Sequence, residues 1–480
     1  MAPSLPELSA AASIYSSVAP LLLNLLQPRN QSFRITENIF LRLLGLVYLC
    51  AFASLLPQIV GLVGVNGISP AAETLRAMHA DYGGRAYLDV PSLFWLFPTD
   101  AALKALCALG CLAALLLIFG LAVRIAAIAA YVLYLSLVTI GQPFTSFQWD
   151  SLLLETGFLA IFVGASWLAI AYRLLLFRLI FESGFVKLAS GDPTWRNLQA
   201  LRFHFFTQPL PNPLAYYFHQ APAWLLDSLT FATLFTELLP PFLLFVYPRR
   251  LRHIAFGLLV SLQLFIALTG NFAFFNLLTI VLCVWALDDS SFLSWPKLRL
   301  SSSARFPKSL NAGVASVVAL SLLQLFGLEP SLLESFEIVN PYGLFAVMTT
   351  SRIELVVEGS NDKDHWQAYS FRYKPGDVSG RLSVIAPYQP RLDWQMWFAA
   401  LGTPENNYWA KTFVYRLLTG EPSVLGLLAP SPFQKPPHWI RILAYTYTFT
   451  TNSERARTGA IWHRTPLGTW FGPVSIDSMN

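Results

Sequence analysis

Residues 101–140 read AALKALCALGCLAALLLIFGLAVRIAAIAAYVLYLSLVTI, and Lys104 and Arg124 are the sole charges in the stretch. A helix rises 1.5 Å per residue, so about 20 apolar residues cover the ~30 Å hydrocarbon core of a bilayer. This stretch therefore predicts two consecutive crossings, 101–120 and 122–140. The same pattern recurs at 39–60, 152–171, 228–247, 252–269, 272–287 and 312–328. A further apolar segment, 173–190, carries Arg173, Arg178, Glu182 and Lys187 and is expected to span, re-enter or lie in the interface. The expectation is a polytopic α-helical membrane bundle of eight or nine spans over residues 1–328, followed by a soluble non-cytoplasmic domain at 329–480.

Composition supports this division. The chain is 55% hydrophobic and 12% charged, where soluble domains carry about a quarter charged residues. Residues 1–328 hold 19 Lys+Arg against 14 Asp+Glu, and residues 329–480 hold 13 against 13, so the whole +5 excess lies in the membrane half. There it acts on orientation, and no basic run with interleaved aromatics points to nucleic acid. The basic loops 248–253 and 288–311 are expected on the cytoplasmic side, with Arg29 and Arg34 joining them in the nine-span arrangement. Loops 64–100 and 191–226 and the C-terminal domain then face outward. The apolar run at 18–26 is too short for a cleavable signal, and the sequon Asn30-Gln31-Ser32 falls on the cytoplasmic side.

Charge at membrane depth is costly and marks functional or register-fixing positions. One group is Trp149, Asp150 and Glu155 in FQWDSLLLETGF; a second is Arg178, Glu182 and Lys187, with Asp192 and Trp195 just beyond. Arg178 and Glu182 have i,i+4 spacing for a pair, which leaves Lys187 to find Asp150, Glu155 or Asp192 across the bundle. Buried ion pairs fixing helix register are weighed against proton transfer. Arg202, His204, Gln208 and His219 lie in 201–222, whose centre Pro209, Pro211 and Pro213 make extended; a shaped outer loop is expected, either a binding surface or a rigid interfacial loop anchored by Tyr216, Tyr217 and Trp224. Glu237, before Pro240-Pro241, is either a functional carboxylate or a partner at a proline kink.

No cofactor or metal is expected: Walker A, GxSxG, HExxH and CxxC patterns do not occur, and the seven histidines lack metal-ligand spacing. Cys107 and Cys111 read as small lipid-buried hydrophobes. In the C-terminal domain, 352–360, 366–376, 382–387, 440–450 and 464–476 alternate as strands. Residues 391–402 and 405–420 have helical spacing, giving a β-rich sandwich with a helical insertion. Trp394, Trp397 and Phe398 share one helical face, flanked by Arg391 and Asp393. That face is either core or an exposed client surface.

Taken together, several strings resemble the lipase maturation factor family. They are FQWDSLLLETGF (147–158), SGFVKLASGDPTWRNLQALRFHFFTQPLPNPLAYYFHQAP (183–222), GNFAFFNLLTI (270–280), YGLFAVMTTSRIELVVEGSND (342–362) and YQPRLDWQMWFAALG (388–402). Tyr388 departs from the His expected there in many members. The resemblance implies a non-catalytic, chaperone-like membrane protein that helps secreted dimeric lipases fold, with the client met around Arg391, Asp393, Trp394, Trp397 and Phe398. It implies the endoplasmic reticulum membrane in a eukaryote. The terminal SIDSMN carries no retention tetrapeptide, which fits a bacterial member in the cell membrane. SGFVKL with Trp195 also looks like the membrane half of vitamin K-dependent carboxylases, which implies the alternative of an enzyme using Lys187 as base.

Overall fold

Residues 101–140 form the helices Asp100–Phe119 and Val123–Ile140. Gly120, at φ 70°, ends the first in the left-handed conformation that glycine adopts without penalty, and its N–H closes on the carbonyls of Leu116 and Leu117. The computed structural model describes residues 32–246, 248–292, 308–328 and 334–479. The apolar run 18–26, the sequon Asn30 and the basic residues Lys297, Arg299 and Arg305 lie outside them.

Among the described residues five helices are long and apolar enough to cross a membrane: Arg34–Leu55, Asp100–Phe119, Val123–Ile140, Ala223–Phe245 and Arg249–Thr269. The other expected spans are shorter or charged. Phe275–Ala286 and Leu310–Gln324 are short apolar helices. The expected span 152–171 is broken: the Gln148–Ala160 helix stops, and Leu168–Ala189 begins after a turn. The turn's backbone polar groups find side-chain partners on neighbouring elements. Gly164 N–H donates to Glu37, Ser166 N–H to Asn311, and Arg124 donates to the Val163 carbonyl.

The Leu168–Ala189 helix explains the charged segment 173–190. Every residue from 168 to 180 is buried, so this is the central post of the bundle, and its charges meet protein on all sides. At one end of the bundle Asp289 accepts the N–H groups of Arg34, Ile35 and Thr36 at 2.8–3.1 Å, capping the first helix where its dipole is positive. There Asp288 pairs with Arg252 at 2.9 Å. The opposite end carries the C-terminal part, which touches residues 58, 144, 207 and 271.

The C-terminal part holds one four-stranded antiparallel sheet in the order β2-β1-β3-β4, so the expected sandwich is corrected to a single layer. The strands are β1 Arg352–Ser360, β2 Gln367–Tyr369, β3 Trp439–Phe449 and β4 Trp462–Val474. The helices Arg391–Ala399 and Tyr408–Leu418 fall between β2 and β3 as the helical insertion. Helices take the place of a second sheet against the strands. In β1–β3 pairing, Val356 faces Leu443 and Glu354 faces Tyr445. The expected strand 382–387 is an irregular segment, because its backbone bonds go elsewhere. Asn271 accepts the Ile385 N–H at 2.7 Å and donates to the Ser383 carbonyl at 2.8 Å. The turn at 270–272 is thus a clamp on the outer part. One apolar core runs from the bundle through Leu355, Leu392, Phe413 and Ile440.

Candidate functional site

Three buried charge clusters fix the seam between bundle and outer part. Asp150 and Arg391, neither exposed, pair at 2.8 and 2.9 Å; the guanidinium also donates to the Phe144 carbonyl, and Tyr134 donates to Asp150. Arg178 pairs with Glu155 at 2.8 and 3.0 Å and donates to Ser321 and the Asn340 carbonyl. Glu155 also receives the Tyr342 hydroxyl at 2.9 Å. Arg178 is therefore not paired with Glu182, which instead accepts the Tyr342 N–H at 2.9 Å. The third cluster lies in the outer part: Arg352, Glu354 and Lys374, with Lys374 at 2.8 Å from Glu354 and Arg352 donating to the carbonyls of Phe206 and Pro209. Sequence reading missed this cluster. The alternation of β1 places Arg352 and Glu354 on one face but names no partner for either.

Behind the seam lies a cavity of about 480 Å³, within the range of ligand pockets. Helices Gln148–Ala160, Leu168–Ala189, Ala200–Thr207, Ala223–Leu238 and Arg249–Thr269 wall it on the bundle side, and 343–349 and Arg391–Ala399 on the other. The acid that completes Lys187 is Glu237: Nζ lies 2.8 Å from both carboxylate oxygens and 3.1 Å from the Ser183 carbonyl. Close antiparallel packing brings them together, since a Cβ on Gly184 would stand 2.8 Å from that of Glu237. Trp195 lies 5.2 Å from Lys187 Nζ and donates to the Phe345 carbonyl at 2.9 Å. His204 sits between Phe272 and Phe345. Desolvation there, and then the charge of Lys187, hold its imidazole down at about 4.

The wall on the outer part is aromatic. Trp149 stacks on Phe147, meets Trp394 edge-on at 4.8 Å and donates to Gln389. Trp397 donates to the Thr207 carbonyl at 2.9 Å. Trp394 is buried, and its indole nitrogen meets no acceptor among the described residues.

A family model described as the lipase maturation factor transmembrane domain matches residues 35–294, and one described as the lipase maturation factor C-terminal domain matches residues 338–472. The chain belongs to the lipase maturation factor family. Lipase maturation factor 2 of Gallus gallus is 35% identical over 92% of this chain and 81% of its own length. Lipase maturation factor 1 of Bos taurus is 35% identical over 93% and 90%, and that of Homo sapiens 33% over 93% and 89%. No solved structure matches. This member of the lipase maturation factor family is thus an integral membrane protein whose relatives are named for maturation and not for catalysis.

In this lipase maturation factor homologue the residues read from sequence fall into two classes. Trp149, Lys187, Trp195, His204, Trp394, Trp397 and Phe398 line the cavity. Asp150, Glu155, Arg178, Glu182, Asp192, Gln208, Arg391 and Asp393 hold backbone or other charges. Asp192 accepts the N–H groups of Thr194 and Met348 at 2.8 and 2.6 Å, and these bonds hold its carboxyl below the usual range. Gln208 donates to the Thr269 carbonyl. Asp393 accepts the Tyr373 and Lys374 N–H groups; burial pushes it up to about 6.

Two expectations are corrected. Burial removes Arg391, Asp393, Trp394 and Trp397 from any exposed client surface; of that stripe only Phe398 is open, at 42%. The centre of the proline-rich stretch, 208–212, is non-helical as expected, but its flanks are not loop: they form two short helices, Ala200–Thr207 and Pro213–His219. Pro213 takes a first-turn position where its missing N–H is not needed, and Asn212 caps that turn through Ala215 N–H.

Proposed function

We propose that the chain is a membrane-embedded maturation factor that assists folding or assembly of secreted proteins, lipases among them, by meeting them with its outer part. The observation that carries this is the match of two lipase maturation factor models across both the bundle and the sheet-bearing part. The proposed division is 1–328 in the bilayer and 329–480 outside it. In this reading nine helical segments among the described residues serve as spans, the five long apolar helices and four shorter or charged ones. The basic 248–253 end then faces the cytoplasm and the sheet faces the lumen, or the outside of a bacterial cell membrane. With the ion pairs buried, the client surface is the segment after them: Phe398, Leu401 and Tyr408 are 42, 51 and 66% exposed.

The test is complementation. In a deletion host carrying a secreted dimeric lipase, the full chain should restore secreted lipase activity, and Phe398→Asp with Tyr408→Asp should lower it several-fold at equal membrane expression. Failure of the wild-type chain removes the lipase reading. A fully active double variant moves the client surface elsewhere.

A further inference from the structure

Each charge in the seam clusters is answered by an opposite charge beside it, and the cavity has a different character. Its titratable wall consists of Lys187, Glu237 and His204. Lys187 spends its three N–H groups on the two oxygens of Glu237 and the Ser183 carbonyl, so the pair contributes no net charge and no spare donor. His204 is held neutral and makes no side-chain hydrogen bond among the described residues. The Trp394 indole N–H, on a residue 3% exposed, is buried without an acceptor. Leaving such a donor unpaired costs free energy unless something fills the space beside it. Most of the rest of the wall is apolar, Leu179, Ile180, Phe205, Ile266 and Phe275 among it, with Gln148, Thr233 and Gln263 as uncharged polar side chains. Three lining residues, Val347, Phe398 and Leu401, are 66, 42 and 51% exposed and form an apolar rim where the cavity reaches the surface.

We propose that this cavity is a binding site for a neutral, single-chain lipid drawn from the bilayer, its head an uncharged hydrogen-bond acceptor such as an ester carbonyl. The apolar wall and rim take the chain. The Trp394 N–H and the His204 ring take the head. An anionic head is disfavoured because it would be desolvated beside a wall of zero net charge with no cation left to answer it. Occupancy is independent of which protein the chain matures.

The experiment uses the full chain in phosphatidylcholine nanodiscs with two photoprobes of equal chain length, a diazirine-bearing hexadecanoate methyl ester and a diazirine-bearing hexadecyl phosphate. The ester should label peptides containing 179–195, 263–275 and 343–349, and excess methyl hexadecanoate should suppress that labelling on the wild-type protein. Thr233→Phe, which fills the cavity from the Ala223–Leu238 helix, should abolish it, and Trp394→Phe should weaken ester binding about five-fold by removing one hydrogen bond. Labelling confined to outward-facing positions such as Leu109, Leu112 and Ile125, or labelling that unlabelled ester does not suppress, overturns the site. Equal or stronger labelling by the phosphate overturns the neutral head. The competition arm needs no variant, so it decides even if a substitution misfolds.

Discussion

Arg391 reaches two carboxylate oxygens of Asp150 and the Phe144 carbonyl from a position with no solvent exposure. Breaking a buried pair on one side leaves a charge with nothing to answer it, at a cost of about 3–5 kcal/mol. Asp150→Asn should therefore remove most folded protein, given total stabilities of only about 5–15 kcal/mol. Arg391→Lys should fail too, because an ammonium cannot reproduce the planar fork. Asp150→Leu with Arg391→Met should recover part of the loss. Detergent-solubilised yield and melting temperature read this directly, and an Asp150→Asn variant that melts like wild type would refute it. Lys187 and Glu237 make the same argument at the cavity: Lys187→Met should be worse than Lys187→Met with Glu237→Leu. His204 adds a pH dependence with a definite sign. Its folded value, about 4, lies below the ordinary 6.5, so the unfolded chain takes the proton first. Stability is complete above about 6.5 and declines as pH falls through about 4. Melting temperature against pH should show this slope, and His204→Gln should flatten it; an unchanged slope in the variant assigns the effect to another group.

At the scale of elements, small residues decide how closely the helices approach. A Cβ placed on Gly110 would stand 2.3 Å from the ring of Phe52, which is fully buried on the Arg34–Leu55 helix. Gly110→Ala should cost about 1–3 kcal/mol through overpacking. Gly257 has open space, and its replacement by Ala should be neutral or stabilising by about 0.5–1 kcal/mol. Paired melts of the two variants test the contrast, and equal effects would show that the helix contact is looser than it stands here. The pattern of apolar runs made most of these helices legible, and β1 and Arg391–Ala399 were legible from their periods. What periodicity does not carry is the partner of a charge. Arg178 and Glu182 have ideal spacing for a pair, yet Glu155 and Tyr342 compete for them from other elements. The break at 161–167 was hidden for the same reason, since its backbone groups are satisfied by Glu37, Arg124 and Asn311 from distant helices.

For the whole molecule, the question is whether bundle and outer part are two folding units or one. Reading the sequence as a bundle plus a separate soluble domain followed from composition, because the long apolar runs end at 328 and the charges of 329–480 balance. Composition says nothing of where its side chains point. Arg352 donates to the Phe206 and Pro209 carbonyls, Arg391 to Asp150, Trp397 to the Thr207 carbonyl, and Gln58 and Asn271 reach back to the backbone of Gln389 and Ser383. Severing the chain would leave the buried Arg391 guanidinium without an acceptor, strip Arg352 of its carbonyl acceptors and expose the face of Trp394 that meets Phe147 and Trp149. Residues 334–479 expressed alone should therefore lack a cooperative melt and bind a hydrophobic dye, while the full chain in detergent should unfold its sheet and its central helix together. Hydrogen exchange is the deciding measurement. Amides of Leu355–Val357 in β1 and of Leu174–Leu176 in the central helix should lose protection at the same denaturant concentration. Asp150→Asn should lower both midpoints equally. If β1 stays protected after the central helix has opened, the outer part is an independent domain, and the buried ion pairs at the seam orient it without supporting its fold.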